Sequence, residues 1–409
     1  MVMTICVYSY GPTIRVWSDR TRMVGPYEYY TRLVINGPDH MSAKLYGGKS
    51  KNVYKGVLAF LFLIWMIWTL GHIKDFERID LNNIKTQPRV SRPRDSEKNF
   101  TILFYAKPSW FNPKRDNFDR CYYRNCEFTV DKMLFSKSEA VIFHHNSFAT
   151  LPDKPNGQVW IFVTLESPYH TSNNFKTDKL KMKFNWTQSY RKDSDGFSPY
   201  AVLRKQLKNP VTNYTAIFTN KTKNIAWVVS HCRTQSKREA YVKELVKYID
   251  VDIYGSCGKP CPSKNNEDCK SILSKTHKFY LSFENSLCKD YLTEKIFTLY
   301  RNDMNFIPIV RGAPNAGDYL PPNTYVSTSE FKSPQQLAAF LKEIRNNKTR
   351  YISYLKEKDK YFDDGSGGLS LGFCDICYHM NVRHQKPKII DINKWLWENQ
   401  CHNPNDLHT

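Results

Sequence analysis

Between Phe279 and Lys295 the chain compresses a strand, a polar turn and a helix start into seventeen residues, and few folds accommodate that order. Phe279-Tyr280-Leu281-Ser282-Phe283 reads as a buried strand. Glu284-Asn285-Ser286 then sets an acid, an amide and a hydroxyl at its carboxyl end, and Asp290-Tyr291-Leu292-Thr293-Glu294-Lys295 leads into a helix. Open α/β sheets bind ligands beyond the carboxyl ends of their strands. The turn therefore suits a phosphorylated sugar ligand.

Periodicity elsewhere agrees with an α/β fold. Strand-like runs occur at Thr101 to Tyr105, Ala140 to Phe143 and Val159 to Val163, separated by polar and helical stretches. Farther along, Ile225 to Val229, the amphipathic stretch Arg238 to Tyr248 and Val251 to Tyr254 form a βαβ pattern. Strands follow at Phe279 to Phe283 and Phe306 to Val310, then a helix from Pro334 to Asn346 with proline at its favoured first position. The 409 residues allow about two to three domains. An aromatic content of 14% with 41% hydrophobic residues supplies a packed core, and no repeat or low-complexity architecture is visible.

Sixty Lys and Arg against 39 Asp and Glu leave a net charge of +21. Such an excess attracts polyanions, nucleotide-sugar phosphates or acidic membrane surfaces. The basic residues are scattered and form no stripe or recognised module, so nucleic acid is not an expected partner.

Gly56 through Leu70 carries no charge, and Gly71, His72 and Ile73 extend the run. It is slightly short for a typical span of ~20 residues yet suits a thin membrane. A buried core helix or a cleaved signal sequence are the other readings. Trp65 and Trp68 inside the run, and the lack of a small-residue cleavage site after it, disfavour a signal peptide. Lys44, Lys49, Lys51 and Lys55 precede the run, whereas charges after it balance, so the positive-inside rule puts the N-terminus in the cytosol and the bulk in a lumen. The expected order is a tail over 1–55, a signal anchor over 56–73 and a polar stem over 74–98. The stretch before Lys44 has no interpretable motif, and Met41 is an alternative start.

Of the 11 cysteines, Cys6 precedes the apolar run and ten follow it, an even number that suits disulfide pairing in an oxidising lumen. Cys121 with Cys126 and the cluster Cys257, Cys261, Cys269 fall in loop-rich segments. Cys374-Asp375-Ile376-Cys377 permits a zinc or redox reading, but a zinc site needs a second pair and Cys401-His402 is incomplete, so disulfides are expected. Five sequons, at Asn99, Asn185, Asn213, Asn220 and Asn347, all lie on the expected luminal side.

The Phe279 to Lys295 stretch resembles the signature of the α1,3-fucosyltransferases, glycosyltransferase family ten, which reads much like F-x-x-x-F-E-N-S followed by D-Y-x-T-E-K. The likeness extends through Trp160, Glu166-Ser167-Pro168, Phe184-Asn185-Trp186-Thr187, Ser189-Tyr190-Arg191 and Asp193-Ser194-Asp195, and covers the chain from about Asn99 onward. The first hundred residues carry no family motif. The resemblance implies a GT-B architecture of two Rossmann-like domains facing a cleft, here 99–215 on the acceptor side and 216–409 on the GDP-fucose side with a disulfide-stapled tail. It also implies a single-pass type II enzyme of the Golgi membrane with its catalytic part luminal.

The implied reaction moves L-fucose from GDP-fucose to the 3-OH of a GlcNAc-bearing glycan acceptor with inversion, which needs a base for the acceptor proton and positive charge for the departing phosphate. Glu166, directly after the strand Val159 to Val163, matches the family's proposed base; an ordinary solvated or capping glutamate is the plain alternative. Arg238 and Lys295 match its GDP-binding cations, a guanidinium clamping two oxygens and an ammonium acting as a point charge. Taken alone, Arg238 also reads as a surface helix arginine. Asn285, Tyr291 and Glu294 complete the implied donor pocket by hydrogen bonding, and Glu284 is either motif scaffold or donor contact. His144 and His145 resemble the pair that accompanies α1,3 specificity and are placed in the acceptor cleft; adjacent residues point apart and rarely chelate one ion, and a core role is the alternative. Asp193-Ser194-Asp195 imitates a D-x-D metal motif but lies away from the donor motif. No metal site and no required cofactor are expected; Mn2+ stimulation is compatible with the reading but not implied by it.

Two rival readings stay open on sequence alone: a GT-B enzyme using another nucleotide sugar, and a non-catalytic membrane-anchored lectin or scaffold. Neither the acceptor-selecting loops, near Trp110 to Cys126 and His170 to Lys183, nor the oligomeric state carries a readable code.

Overall fold

Continuous apolar runs without polar alternation mark strands buried on both faces of a parallel sheet, and in the computed structural model they take that place. The structure describes the backbone of 5–10, 13–18, 32–36 and 40–44, and residues 98–109, 111–114, 117–146, 151–171, 182–208, 210–301, 304–382 and 388–407. The expected anchor at 56–73, nearly all of the stem, and Trp110 and 172–181 in the acceptor loops lie outside the described residues. No helix among the described residues is long and apolar enough to cross a membrane.

The chain divides into two units, Met1–Ser91 and Arg92–Thr409. In the first, β1 (Ile5–Tyr10), β2 (Thr13–Ser18), β3 (Arg32–Asn36) and β4 (His40–Lys44) form an antiparallel sheet in sequence order. No motif in that stretch announced it.

The second unit holds two parallel sheets. One joins β5 (Phe100–Ala106), β6 (Cys126–Thr129), β7 (Ala140–His144), β8 (Val159–Thr164), β9 (Trp186–Ser189) and β10 (Gly196–Phe197) in the order β10-β9-β8-β7-β5-β6. Leu203–Lys205 (β11) and Tyr361–Asp363 (β17) form a small antiparallel pair. The other sheet joins β12 (Lys223–Val228), β13 (Val251–Tyr254), β14 (His277–Phe283), β15 (Ile307–Arg311) and β16 (Val326–Ser327) in the order β13-β12-β14-β15-β16. Every residue of β7, β8, β14 and β15 is buried. Strand order reverses between β5 and β7 and between β12 and β14, the places where such sheets open a crevice at the strand ends.

Helices cover the second sheet: α1 (Tyr214–Asn220), α2 (Arg238–Leu245), α3 (Asn266–Ser274), the single turn α4 (Glu294–Phe297), α5 (Pro334–Asn346) and α6 (Lys348–Lys358). Ser333 caps α5 by accepting from the Gln336 amide at 3.3 Å, Pro334 begins it, and Leu337, Ala338, Leu341 and Ile344 recur on the face buried against β12, β14 and β15. The helices over 369–397 pack on the first sheet although the sequence assigned them to the second domain, while the tail beyond them returns to the second sheet. Helix α7 (Leu369–Val382) packs Leu369, Phe373 and Ile376 into the core of the first sheet, and α8 (Ile392–Trp397) sets Ile392 and Leu396 against β7 and β8. At Gly372 an added Cβ would stand 2.2 Å from Ser198 Oγ and 2.8 Å from Gln188 Nε2, so the helix approaches β9 and β10 only because that residue is glycine.

All ten cysteines after the apolar run form disulfides: Cys121–Cys374, Cys126–Cys377, Cys232–Cys257, Cys261–Cys269 and Cys288–Cys401. Cys374 and Cys377 are one helical turn apart and each reaches a different cysteine of the first sheet, so they are neither a mutual redox pair nor zinc ligands. Cys288–Cys401 pins the terminal tail beside the turn after β14, where His402 to Asp406 and the ends of β15 and β16 line a cavity of about 640 Å³.

Candidate active site

The strand β14 ends in a carboxylate that the fold hides completely. Glu284 is fully buried; its Oε1 accepts from the Thr293 amide at 2.9 Å, and Thr293 Oγ1 lies 2.9 Å from both carboxylate oxygens. Gly312 makes room for it, since a Cβ there would stand 2.7 Å from Glu284 Cγ. Lys295 Nζ sits 3.2 Å from Glu284, 3.1 Å from Glu294 and 2.8 Å from Thr293 Oγ1. Burial alone would lower the Lys295 pKa, but the two carboxylates outweigh it and hold the ammonium above its ordinary value. Glu284 is therefore the scaffold that fixes the cation. Glu294 is exposed at the same rim.

Asn285 comes next. Its backbone carbonyl accepts from Ser236 N at 3.1 Å, whereas its side-chain Oδ1 is buried with no hydrogen-bond partner. Such an orphaned acceptor calls for a ligand donor or a water. Arg238 is more deeply set than a clamp at the surface: 4% exposed, it donates through Nη1 to Phe283 O at 2.6 Å and through Nη2 to His231 O at 3.1 Å, while Nε is buried and unpartnered. Burial lowers its pKa, against the pull of Glu284 and Glu239. The guanidinium thus braces the end of β14, and its remaining N–H groups are what it has for a ligand. The expected helix start at Thr293 is real but short: α4 is one turn, with Thr293 Oγ1 accepting from Lys295 N.

The first sheet delivers Glu166. Two residues past β8, its amide donates to Thr164 Oγ1 at 3.1 Å, and its carboxylate Oε2 accepts from the Tyr291 hydroxyl at 3.2 Å. Burial raises the Glu166 pKa above the ordinary carboxylate value; the Tyr291 hydrogen bond and the Lys295 charge act against burial, and Glu294 adds to it. Next door, Ser167 Oγ and Ser286 Oγ meet at 2.7 Å. Tyr291, expected in the donor pocket, is the residue on which the two sheets' motifs join. Its ring packs 5.0 Å from that of Tyr190 and 6.5 Å from that of Tyr200, whose hydroxyl donates to Leu165 O at 2.6 Å.

His144 ends β7, the strand beside β8, and His145 follows it, its N donating to Val163 O at 3.1 Å. Their rings lie 4.5 Å apart, and burial pushes their pKa values down to about 4 and about 3, His144 adding to the effect on His145. Both are neutral at neutral pH. Asp193 pairs with Arg191, and Asp195 accepts from Thr187 N at 3.0 Å and lies 3.5 Å from Lys388 Nζ, so the D-x-D look-alike anchors a loop. Among the described residues no three His, Cys, Asp or Glu side chains group as for a metal.

Sequence reasoning gave no role to Tyr190, Tyr200 or His170, which are brought to the site by packing alone; Thr293, read as the helix cap before Lys295, is that cap. His170, in the turn Pro168–His170, lies against His231 with ring centroids 5.6 Å apart.

Two family models cover most of this unit: the N-terminal part of fucosyltransferases matches 97–201, and glycosyltransferase family 10 (fucosyltransferase) C-term matches 218–395. The chain is 36% identical over 322 residues to Glycoprotein 3-alpha-L-fucosyltransferase A of Drosophila melanogaster, covering 74% of this chain and 61% of that one. It is 33% identical over 301 residues to Alpha-(1,3)-fucosyltransferase fut-1 of Caenorhabditis elegans (70% and 67% covered). It is 35% identical over 287 residues to 4-galactosyl-N-acetylglucosaminide 3-alpha-L-fucosyltransferase FUT5 of Homo sapiens (66% and 72%). A solved crystal structure of an alpha1,3-fucosyltransferase is a looser likeness, with 17% identity, a TM-score of 0.48, and 74% and 94% coverage. The strand-end motif, the carboxylate facing it and the sequence kinship converge: the chain belongs to glycosyltransferase family 10, the fucosyltransferases.

Proposed function

We propose that this protein is an inverting α1,3-fucosyltransferase that moves L-fucose from GDP-fucose to the 3-OH of GlcNAc on glycan acceptors. The observation that carries the reading is the Tyr291 to Glu166 hydrogen bond, which holds a carboxylate of raised proton affinity against the motif that carries Lys295 and the unpartnered Asn285 Oδ1. Glu166 removes the proton from the acceptor hydroxyl as that oxygen attacks the fucose anomeric carbon, and the bond to the β-phosphate breaks on the opposite side. Lys295, with the free N–H groups of Arg238, meets the charge that builds on departing GDP. Asn285 and Glu294 hydrogen-bond ribose or fucose hydroxyls, and the neutral His144 and His145 contribute to the acceptor side.

The two parallel sheets, with motif residues meeting across their strand ends, support a GT-B arrangement. Five disulfides and the apolar run at 56–73 support a luminal catalytic part on a single type II anchor in the Golgi membrane. Relatives' names point to two acceptor settings, glycoprotein and galactosyl-N-acetylglucosaminide. Incubating the protein with GDP-fucose and a panel of core and antennal glycans, and locating added fucose by mass spectrometry, tests donor, linkage and acceptor together. Transfer from GDP-fucose is expected, with GDP and not UDP competing. Competition by UDP alone would point to another nucleotide sugar, and binding without transfer to any glycan would point to a lectin.

A further inference from the structure

The buried Nε2 of His170 has no hydrogen-bond partner. His170 lies four residues beyond Glu166 on the first sheet's side, yet the groups acting on its ring come from three places on the second sheet: His231 after β12, Arg238 at the start of α2 and Lys295 at the start of α4. An orphaned imidazole nitrogen within reach of two cationic side chains is unfavourable in the free protein. A ligand with several anionic acceptor oxygens resolves both problems at once; a neutral one resolves them less well, because the Arg238 and Lys295 charges both act there.

We propose that His170 is a donor-binding residue that contacts the nucleotide's diphosphate through Nε2, closing the phosphate site from the acceptor side of the cleft. This rests on the GDP-fucose reading of the same pocket and adds a contact from the sheet that supplies the base. Because His170 shares its turn with Ser167, which is hydrogen-bonded to Ser286, diphosphate occupancy is coupled to the loop that holds Glu166. In the free protein burial, then His231, Arg238 and Lys295, depress the His170 pKa. A bound diphosphate offsets the Arg238 and Lys295 charges, so the His170 pKa rises and binding is accompanied by proton uptake.

The test is calorimetric titration of the full-length protein with GDP and, separately, inorganic pyrophosphate, in buffers of differing ionisation enthalpy. His170→Ala is expected to weaken both ligands about tenfold, the worth of one charge-assisted contact. His170→Gln keeps a donor but cannot be protonated, so it should recover most of the affinity without the proton uptake seen in wild type. The wild-type minus Gln difference removes the titration of the phosphate itself, and unchanged melting temperatures confirm that the variants are folded. Equal affinity and equal proton uptake in all three proteins would overturn the proposal. GDP binding that depends on Lys295 but is indifferent to His170 would overturn it and leave the donor reading standing. Pyrophosphate binding that depends on His170, with no GDP binding by wild type, would sustain the phosphate site and sink the GDP reading.

Discussion

The two strand ends that build the site are held in opposite ways. After β14, Glu284, Thr293 and Lys295 lie within twelve residues and fix one another through a buried carboxylate, a hydroxyl and an ion pair, with Gly312 supplying the space. After β8, Glu166 has one local support, Thr164, and takes its position from across the cleft through Tyr291 and the Ser167 to Ser286 contact. The proposed donor side is preorganised by its own segment; the proposed base is positioned by a neighbour that itself belongs to the same motif. Ground-state binding should therefore survive loss of the Glu166 carboxylate, and chemistry should not.

Glu166→Gln breaks that comparison hardest. Transfer should fall by about 10²- to 10⁴-fold, the usual worth of a general base, while GDP affinity measured by calorimetry stays near wild type. Retained turnover would remove Glu166 from the role. Glu284→Gln attacks the self-contained end: taking one partner from a buried ion pair costs about 3 kcal/mol, so the urea midpoint should drop along with GDP affinity. A variant as stable as wild type would show that Glu284 is not the scaffold. Lys295→Ala should weaken GDP by about 10- to 100-fold, the range of a charged hydrogen bond, and, because it strips the buried Glu284 carboxylate of its cation, should lower the urea midpoint as well; unchanged GDP affinity counts against its phosphate contact.

The mildest perturbation is also the sharpest probe of the cross-cleft contact. Tyr291→Phe removes a hydrogen bond that favours ionised Glu166, so kcat/KM should fall about tenfold. As the proposed base Glu166 must be ionised, and its pKa is already raised, so activity should be lost with falling pH at higher values than an ordinary glutamate would give. Losing the tyrosine hydroxyl raises that pKa further and moves the acid limb of the pH profile upward. A limb that stays put would mean that Tyr291 acts only on the donor.

Much of this was legible beforehand for a simple reason: central parallel strands are buried on both faces, so they are written as unbroken apolar runs. Ala140 to Phe143, Val159 to Val163 and Phe279 to Phe283 each lie within two residues of the observed strand ends. The short edge strands β6 and β10 lack such runs and were not foreseen. Arg238 was visible as a cation at a helix start, but its commitments to Phe283 O and His231 O depend on where the turn after β14 lands. Cys374-Asp375-Ile376-Cys377 showed two cysteines on one helical turn and could not show that their partners lie about 250 residues upstream, sending α7 back onto the first sheet.

What the sequence determined by itself is whatever depends on neighbours along the chain: the strand interiors, the capped start of α5, and the acid-amide-hydroxyl turn with its lysine, all set by burial pattern and local hydrogen bonding. Only the tertiary structure decided which carboxylate meets Tyr291, that Glu284 is scaffold, that His170 joins the cations of the other sheet, and which cysteines pair. Several of those relations join distant segments: Tyr291 and Glu166 are 125 residues apart, and the Cys121–Cys374 and Cys126–Cys377 partners 253 and 251. They follow from how two sheets dock, a packing free energy shared among many side chains and written in no single motif.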